Sequence, residues 1–216
     1  MNKNVFIIIV TYNGMKWIEK SLNSCVDYKT IVIDNNSQDN TVAFIKKKFP
    51  HVVLLLQNEN LGFGQANNLG INYALNHGAE AVFLLNQDAY IKDMAIENLF
   101  KVHEEFPYYG ILSPIHLNWE GTLIEYYFSK FTRYNRAFYS SFVLNKNKKQ
   151  IYEVPFIHAA AWLIPRKTLE SVGGFDPLFF HYGEDNNYCQ RVCYHHLKIG
   201  IVPNAFICHD SSIRKK

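Results

Sequence analysis

Val5-Phe6-Ile7-Ile8-Ile9-Val10-Thr11-Tyr12-Asn13 is the stretch that decides the fold. Six apolar residues, five of them β-branched, run without alternation into three polar ones. A half-buried strand would alternate, and an amphipathic helix would show a polar face; this run does neither. It is also too short for a core helix, which leaves a strand covered on both faces, as in a parallel sheet. The polar tail then falls at the strand's carboxyl end, where open parallel sheets bind their ligands.

Similar runs recur at 31–33, 52–56 and 81–85, so successive runs start 26, 21 and 29 residues apart. Helical stripes lie between or after them: Ile18, Leu22 and Cys25; Val42, Ile45 and Phe49; Ile96, Leu99, Phe100 and His103. Strand and helix alternating at that spacing predict βαβ units and an α/β fold. Three of the four runs end in polar clusters: Thr11-Tyr12-Asn13, Asp34-Asn35-Asn36-Ser37 and Asn86-Gln87-Asp88. Any one cluster is ordinary turn chemistry, with Ser37 or Asp39 suited to cap the second helix. Three at equivalent strand ends predict one shared crevice. The third run leads into Asn60-Leu61-Gly62-Phe63-Gly64, where the next glycine of a dinucleotide fingerprint is replaced by Asn67; a dinucleotide cofactor is not expected.

The later part of the chain is less regular. Residues 110–117, 156–164 and 199–202 read as strands, and a helix is expected from near Asp185. Residues 118–153 are rich in Tyr, Phe, Lys and Asn and predict short strands with a turn near 145–149. Cys25, Cys189, Cys193 and Cys208 contain no Cys-x-x-Cys spacing and read as reduced core thiols. Cys189, Val192, Cys193 and His196 share a helical stripe, so packing accounts for them more simply than zinc.

With 216 residues, 48% of them hydrophobic, the chain predicts a single globular domain, residues 1–216. A net charge of +3 gives no reason to expect nucleic acid. The apolar run at the amino end is too short for a signal-peptide core or a membrane span, which predicts a soluble, cytoplasmic protein.

Together these segments resemble glycosyltransferase family 2. The matching pieces, in the family's order, are Val10 to Gly14, Val32 to Ser37, Asn60-Leu61-Gly62-Phe63, Leu84 to Asp88, Gly174-Phe175-Asp176 through Glu184-Asp185, and finally His209. The resemblance implies the GT-A fold, a mostly parallel central sheet flanked by helices. It also implies an inverting enzyme that moves a sugar from a nucleotide-diphosphate donor (UDP, dTDP or GDP) to an acceptor hydroxyl, with bacterial surface polysaccharide and rhamnosyl transfer as the nearest pattern.

Residue by residue, the resemblance assigns the nucleotide sugar to Thr11, Tyr12, Asn13, Asp34, Asn36, Gly62, Asn67, Asn86 and Gln87. Asp88 and His209 would hold Mg²⁺ or Mn²⁺; Asp185 would be the general base, with Glu184 supporting it. Asn86 departs from the family's first signature aspartate, leaving one carboxylate for the metal. Residues 1–117 would then be the nucleotide-sugar half and 118–216 the acceptor and base half. A glycan or lipid-linked glycan is the expected acceptor, with peripheral association at the inner membrane face and a homodimer left open. The alternatives are a nucleotidyltransferase, disfavoured by the lack of a basic glycine-rich loop after the first strand, and a catalytically silent sugar-nucleotide-binding module.

Overall fold

The computed structural model describes residues 4–146 and 148–211. In chain order the elements are β1 (Val5–Thr11), α1 (Ile18–Asn23), β2 (Lys29–Asp34), α2 (Thr41–Lys48), β3 (Val53–Leu56), α3 (Gly62–Asn76), β4 (Ala81–Asn86), β5 (Ala89–Ile91) and α4 (Ala95–Glu105). There follow β6 (Tyr109–Asn118), α5 (Tyr126–Thr132), α6 (Arg136–Val143), β7 (Tyr152–Glu153), β8 (Ala161–Pro165), α7 (Arg166–Val172), α8 (Glu184–Tyr194) and β9 (Lys198–His209).

The strands form one mixed sheet in the order β3-β2-β1-β4-β8-β6-β9-β5, with β7 on β9. Strands β3, β2, β1 and β4 are mutually parallel. Beyond β4 the sheet turns mixed: β8 is antiparallel to both its neighbours, and β6 and β9 run parallel. Strand β8, late in the chain, thus lies between two strands of the first 118 residues.

The unbroken apolar run of β1 has the expected cause. Phe6 and Ile8 face one core, with Ala66, Ile71 and Ala74 of α3 and Tyr188 and Val192 of α8. Val5, Ile7 and Ile9 face the other, with Ile18 and Leu22 of α1, Ile45 of α2 and Leu99 of α4. Alternate side chains of a strand point to opposite faces, so helices on both faces demand apolar residues at every position. Each fully buried Ile contributes about 1.5–3 kcal/mol relative to exposure.

Several local expectations are corrected. Residues 118–153 hold two helices, and of the short strands expected there only β7, Tyr152–Glu153, forms among the described residues. Glu125 starts α5 by accepting from the Tyr127 and Phe128 amides, and Asn135 starts α6 by accepting from the Phe138 amide. Of the turn expected near 145–149, residue 147 lies outside the described residues. Regular strand structure in 156–164 begins only at Ala161, and the last strand reaches His209 through a register shift. The packing stripe on α8 stops at Val192: Cys193 and His196 are exposed, and His196 lies outside the helix at φ 58°. All four cysteines are free, and three are buried. Among the described residues no helix is long and apolar enough to cross a membrane.

Candidate active site

The three polar clusters meet, as their strand positions predict. The amide side chain of Gln87, just past β4, grips the loop after β1: its Oε1 accepts from Thr11 Oγ1 at 2.7 Å and from the Tyr12 amide at 3.0 Å, while its Nε2 donates to the Tyr12 carbonyl at 3.3 Å. Close approach makes this possible. A Cβ at Gly14 would sit 2.6 Å from Gln87 Oε1, so a side chain there would push Gln87 away. The loop after β2 is bound in turn, since Asn13 receives Gln38 N on its Oδ1 at 2.8 Å and donates its own amide to Ser37 Oγ at 2.9 Å. Asn13 and Asn36 take up left-handed backbone, φ 51° and 65°, a region asparagine tolerates better than most residues. Asp39, not Ser37, serves the start of α2, accepting from the Thr41 amide at 3.0 Å.

Asp34 is 2% exposed at the end of β2. Its Oδ2 accepts from the Ser37 amide at 2.9 Å, while its buried Oδ1 has no partner among the described residues. Asn35 beside it donates Nδ2 to the Gly62 carbonyl, and its Oδ1 is likewise open. Buried acceptors left open cost about 1–3 kcal/mol each, which a ligand donor would recover. Asn67, by contrast, is buried in α3 and donates Nδ2 to the Phe63 carbonyl one turn earlier.

Asp88 follows β4 directly, and β5 folds back against β9 with Ala89 opposite His209. That register brings His209 Nε2 within 3.4 Å of Asp88 Oδ1, and the Asp210 amide fixes the Asp88 carbonyl at 2.8 Å. Lys16 Nζ and Trp17 Nε1 both donate to Asp210 Oδ2, at 2.8 and 2.7 Å, fastening the end of β9 to the start of α1. One carboxylate oxygen and one imidazole nitrogen converging at this distance suit a shared divalent cation.

Glu184 and Asp185 open α8 behind Gly183, whose φ is 94°. Burial raises both carboxyls above their ordinary values; at Asp185 this is opposed by hydrogen bonds from the Asn186, Asp185 and Ala159 backbone. The Ala159 contact links Asp185 to the end of β4, because the neighbouring Ala160 carbonyl accepts from the Asn86 amide at 3.0 Å. Gly62 supplies a further link. It adopts φ 77°, and a Cβ there would overlap the Phe180 carbonyl, so the start of α3 lies directly against the segment leading into α8.

Sequence reasoning missed one feature. His116 of β6, Glu125 before α5 and His158 before β8 bring three ligand-type atoms within 4.8 Å of one another. The rings of His116 and His158 lie 6.4 and 6.0 Å from that of His209. Their sequence separations match no metal spacing, and His116 and His158 sat inside stretches read as strands.

The chain is similar to known glycosyltransferases in sequence and in fold. The sequence profile of Glycosyl transferase family 2 matches residues 6–173. The low-salt glycan biosynthesis hexosyltransferase Agl10 of Haloferax volcanii is 27% identical over 203 residues, covering 93% of this chain and 65% of that protein. The dTDP-rhamnosyl transferase RfbF of Shigella flexneri is 25% identical, covering 99% of this chain and 72% of that protein. Among solved structures, the mannosyltransferase PcManGT of Pyrobaculum calidifontis, in complex with GDP-Man and Mn²⁺, superposes with a TM-score of 0.71 at 20% identity, over all of this chain and 59% of that one. GalNAc-T7 with UDP, GalNAc and Mn²⁺ gives 0.72 at 15% identity, over 95% of this chain and 43% of that one. The fold is that of GT-A glycosyltransferases. With the family profile spanning most of its length, this chain belongs to glycosyltransferase family 2.

Proposed function

We propose that this chain is an inverting glycosyltransferase of glycan or surface-polysaccharide synthesis, transferring a sugar from a UDP-, dTDP- or GDP-sugar to an acceptor hydroxyl. The observation that carries this is the Asp88–His209 pair at 3.4 Å, set at the strand ends beside the open acceptor of Asp34. Asp34 Oδ1 and Asn35 Oδ1 would receive donors from the nucleoside, with Thr11, Tyr12, Asn13 and Asn36 shaping its pocket. Asp88 and His209 would hold Mg²⁺ or Mn²⁺, the imidazole favouring Mn²⁺. When bound, the cation neutralises the charge that gathers on the departing diphosphate.

Asp185 takes the proton of the acceptor hydroxyl as that oxygen bonds to the anomeric carbon. The bond from the anomeric carbon to the diphosphate oxygen breaks, and the nucleoside diphosphate leaves. A single displacement with one base inverts the configuration. The raised carboxyl of Asp185 suits the role, since a base closer to working pH is the more effective.

The acceptor side falls to α5 and α6. Tyr126, Tyr127 and Phe131 of α5 and Tyr134 of the turn before α6 are exposed, and Tyr126, Lys130, Arg133 and Tyr139 border a cavity of about 490 Å³. Aromatic faces beside cationic side chains suit a sugar ring carrying a phosphate, as in a lipid-linked acceptor at a membrane surface.

A thermal-shift panel of UDP-, dTDP- and GDP-sugars with Mn²⁺ tests the reading. A matching donor at 100 times its dissociation constant stabilises by about 2.7 kcal/mol. Asp88→Ala should abolish both that shift and turnover while the protein stays folded. Turnover that survives this variant or EDTA would overturn the metal assignment. Donor binding by the unsubstituted protein with no transfer to any acceptor would favour a silent binding module.

A further inference from the structure

The cluster at His116, Glu125 and His158 lies outside the Asp88–His209 pair and takes no part in the steps above. His116 Nδ1 lies 3.2 Å from His158 Nε2, which lies 3.7 Å from Glu125 Oε2. Ligand atoms of a tetrahedral zinc site, on arms of about 2.0–2.1 Å, stand about 3.3–3.4 Å apart. The two measured separations bracket that value. We propose that His116 Nδ1, His158 Nε2 and a carboxylate oxygen of Glu125 form a second cation site, suited to Zn²⁺ and separate from the donor metal.

Two further observations support it. The first is the outer shell, which ordinarily fixes the ring orientation of a metal-bound histidine. His116 Nε2 contacts Ser113 Oγ at 3.1 Å, so its Nδ1 is turned toward His158. Glu125 is held by the Tyr127 and Phe128 amides at 2.9 and 2.6 Å. The second is charge. Glu125 is 1% exposed, and among the described residues no lysine or arginine forms an ion pair with it. A buried carboxylate needs compensation, and a cation would supply it.

The consequence is structural. Such a cation would clamp β6, the start of α5 and the segment before β8 together. That last segment includes Ala159 and Ala160, which contact Asp185 and Asn86. The competing account is a metal-free chain of hydrogen bonds from Ser113 through His116 to His158.

Zinc binding to the purified, EDTA-stripped protein separates the two accounts. Stoichiometry would be read by competition with a chromophoric chelator, and geometry from the visible absorption of tetrahedral Co²⁺. No nucleotide is present and no turnover is measured, so failure of the transferase reading leaves this test intact. The expected result is one equivalent of Zn²⁺ that persists in Asp88→Ala, disappears in His158→Ala and in Glu125→Gln, and weakens about 10–100-fold in Ser113→Ala. His158 stands at the edge of the cluster, with its side chain 15% exposed, so its removal spares the core. Glu125→Gln keeps an acceptor for the α5 amides and decides the matter if His158→Ala fails to fold. Absence of bound Zn²⁺, loss of all Zn²⁺ in Asp88→Ala, or full retention in a folded His158→Ala or Glu125→Gln variant would overturn the proposal.

Discussion

The strand-end crevice and the α5–α6 surface handle polar and aromatic groups in opposite ways. In the crevice the loops hold one another, Gln87 binding Thr11 and Tyr12 and Asn13 binding Ser37 and Gln38, while Asp34 is held within its own turn by Ser37. Buried polar atoms left open here include Asp34 Oδ1, Asn35 Oδ1, Glu184 Oε2 and His209 Nδ1. On α5 and the turn that follows it, Tyr126 and Tyr134 stand 56% and 80% exposed, their rings meeting only Tyr127 and Arg133 among the described residues. The crevice is held by bonds between its loops, whereas the α5–α6 surface is open to solvent. Substitutions in the first should therefore act sharply on binding or chemistry, and those in the second should be graded and specific to the acceptor.

The sharpest way to break this contrast is Asp185→Asn, which keeps shape and removes the proton acceptor. Transfer should fall at least about 100-fold while donor affinity is nearly unchanged, measured by single-turnover kinetics beside a donor titration. Loss of donor binding in parallel would mean that Asp185 organises the crevice instead. Asp34→Ala is next in size. Removing a buried hydrogen bond should weaken donor and free nucleotide alike by about 1–3 kcal/mol, read by calorimetry. An unchanged nucleotide affinity would reduce Asp34 to a shaper of the β2 turn.

On the open side, Tyr126→Ala combined with Arg133→Ala should raise the acceptor KM several-fold and leave the donor dissociation constant alone. A shift in donor affinity would place that surface on the wrong substrate. The smallest expected effect concerns stability at Glu184. Burial raises its carboxyl above the ordinary 4.5, so the folded state holds its proton more tightly than the unfolded chain does. Its contribution to stability is therefore full below about pH 4.5 and is lost as pH rises through the folded-state value. Glu184→Gln should flatten the melting temperature across that interval; an equally steep profile would point to other groups.

The same contrast explains what the sequence made legible. Strands β1, β2 and β4 could be read because helices cover both faces, which leaves continuous apolar runs ending in polar clusters. Strand β5 could not, since Ala89–Ile91 is three residues long and gains its partner only when β9 arrives. Helices α5 and α6 were hidden by their Tyr and Phe content, which suits strands equally well. What starts them is the capping of Glu125 and Asn135, and neither cap belongs to the Ser/Thr-x-x-Glu pattern that advertises a helix start. Asp88 and His209 could be paired only by resemblance, because 121 residues separate them and an antiparallel register joins them. The His116–Glu125–His158 cluster draws on β6, a helix cap and a loop, so no local pattern could announce it.

The contact between Gly62 and the Phe180 carbonyl has a consequence for how this protein can change. A side chain at position 62 would displace Phe180 in the segment that leads into Glu184 and Asp185, although position 62 itself lies far earlier in the chain, at the start of α3. The two stretches are therefore not exchangeable one at a time. A chimera that imports residues around 62 from a relative inherits that relative's fit to its own 176–183 segment, and the mismatch would surface as lost turnover rather than altered donor choice. Variation at the two places should be inherited jointly, and a directed-evolution library would explore them best as a single linked block.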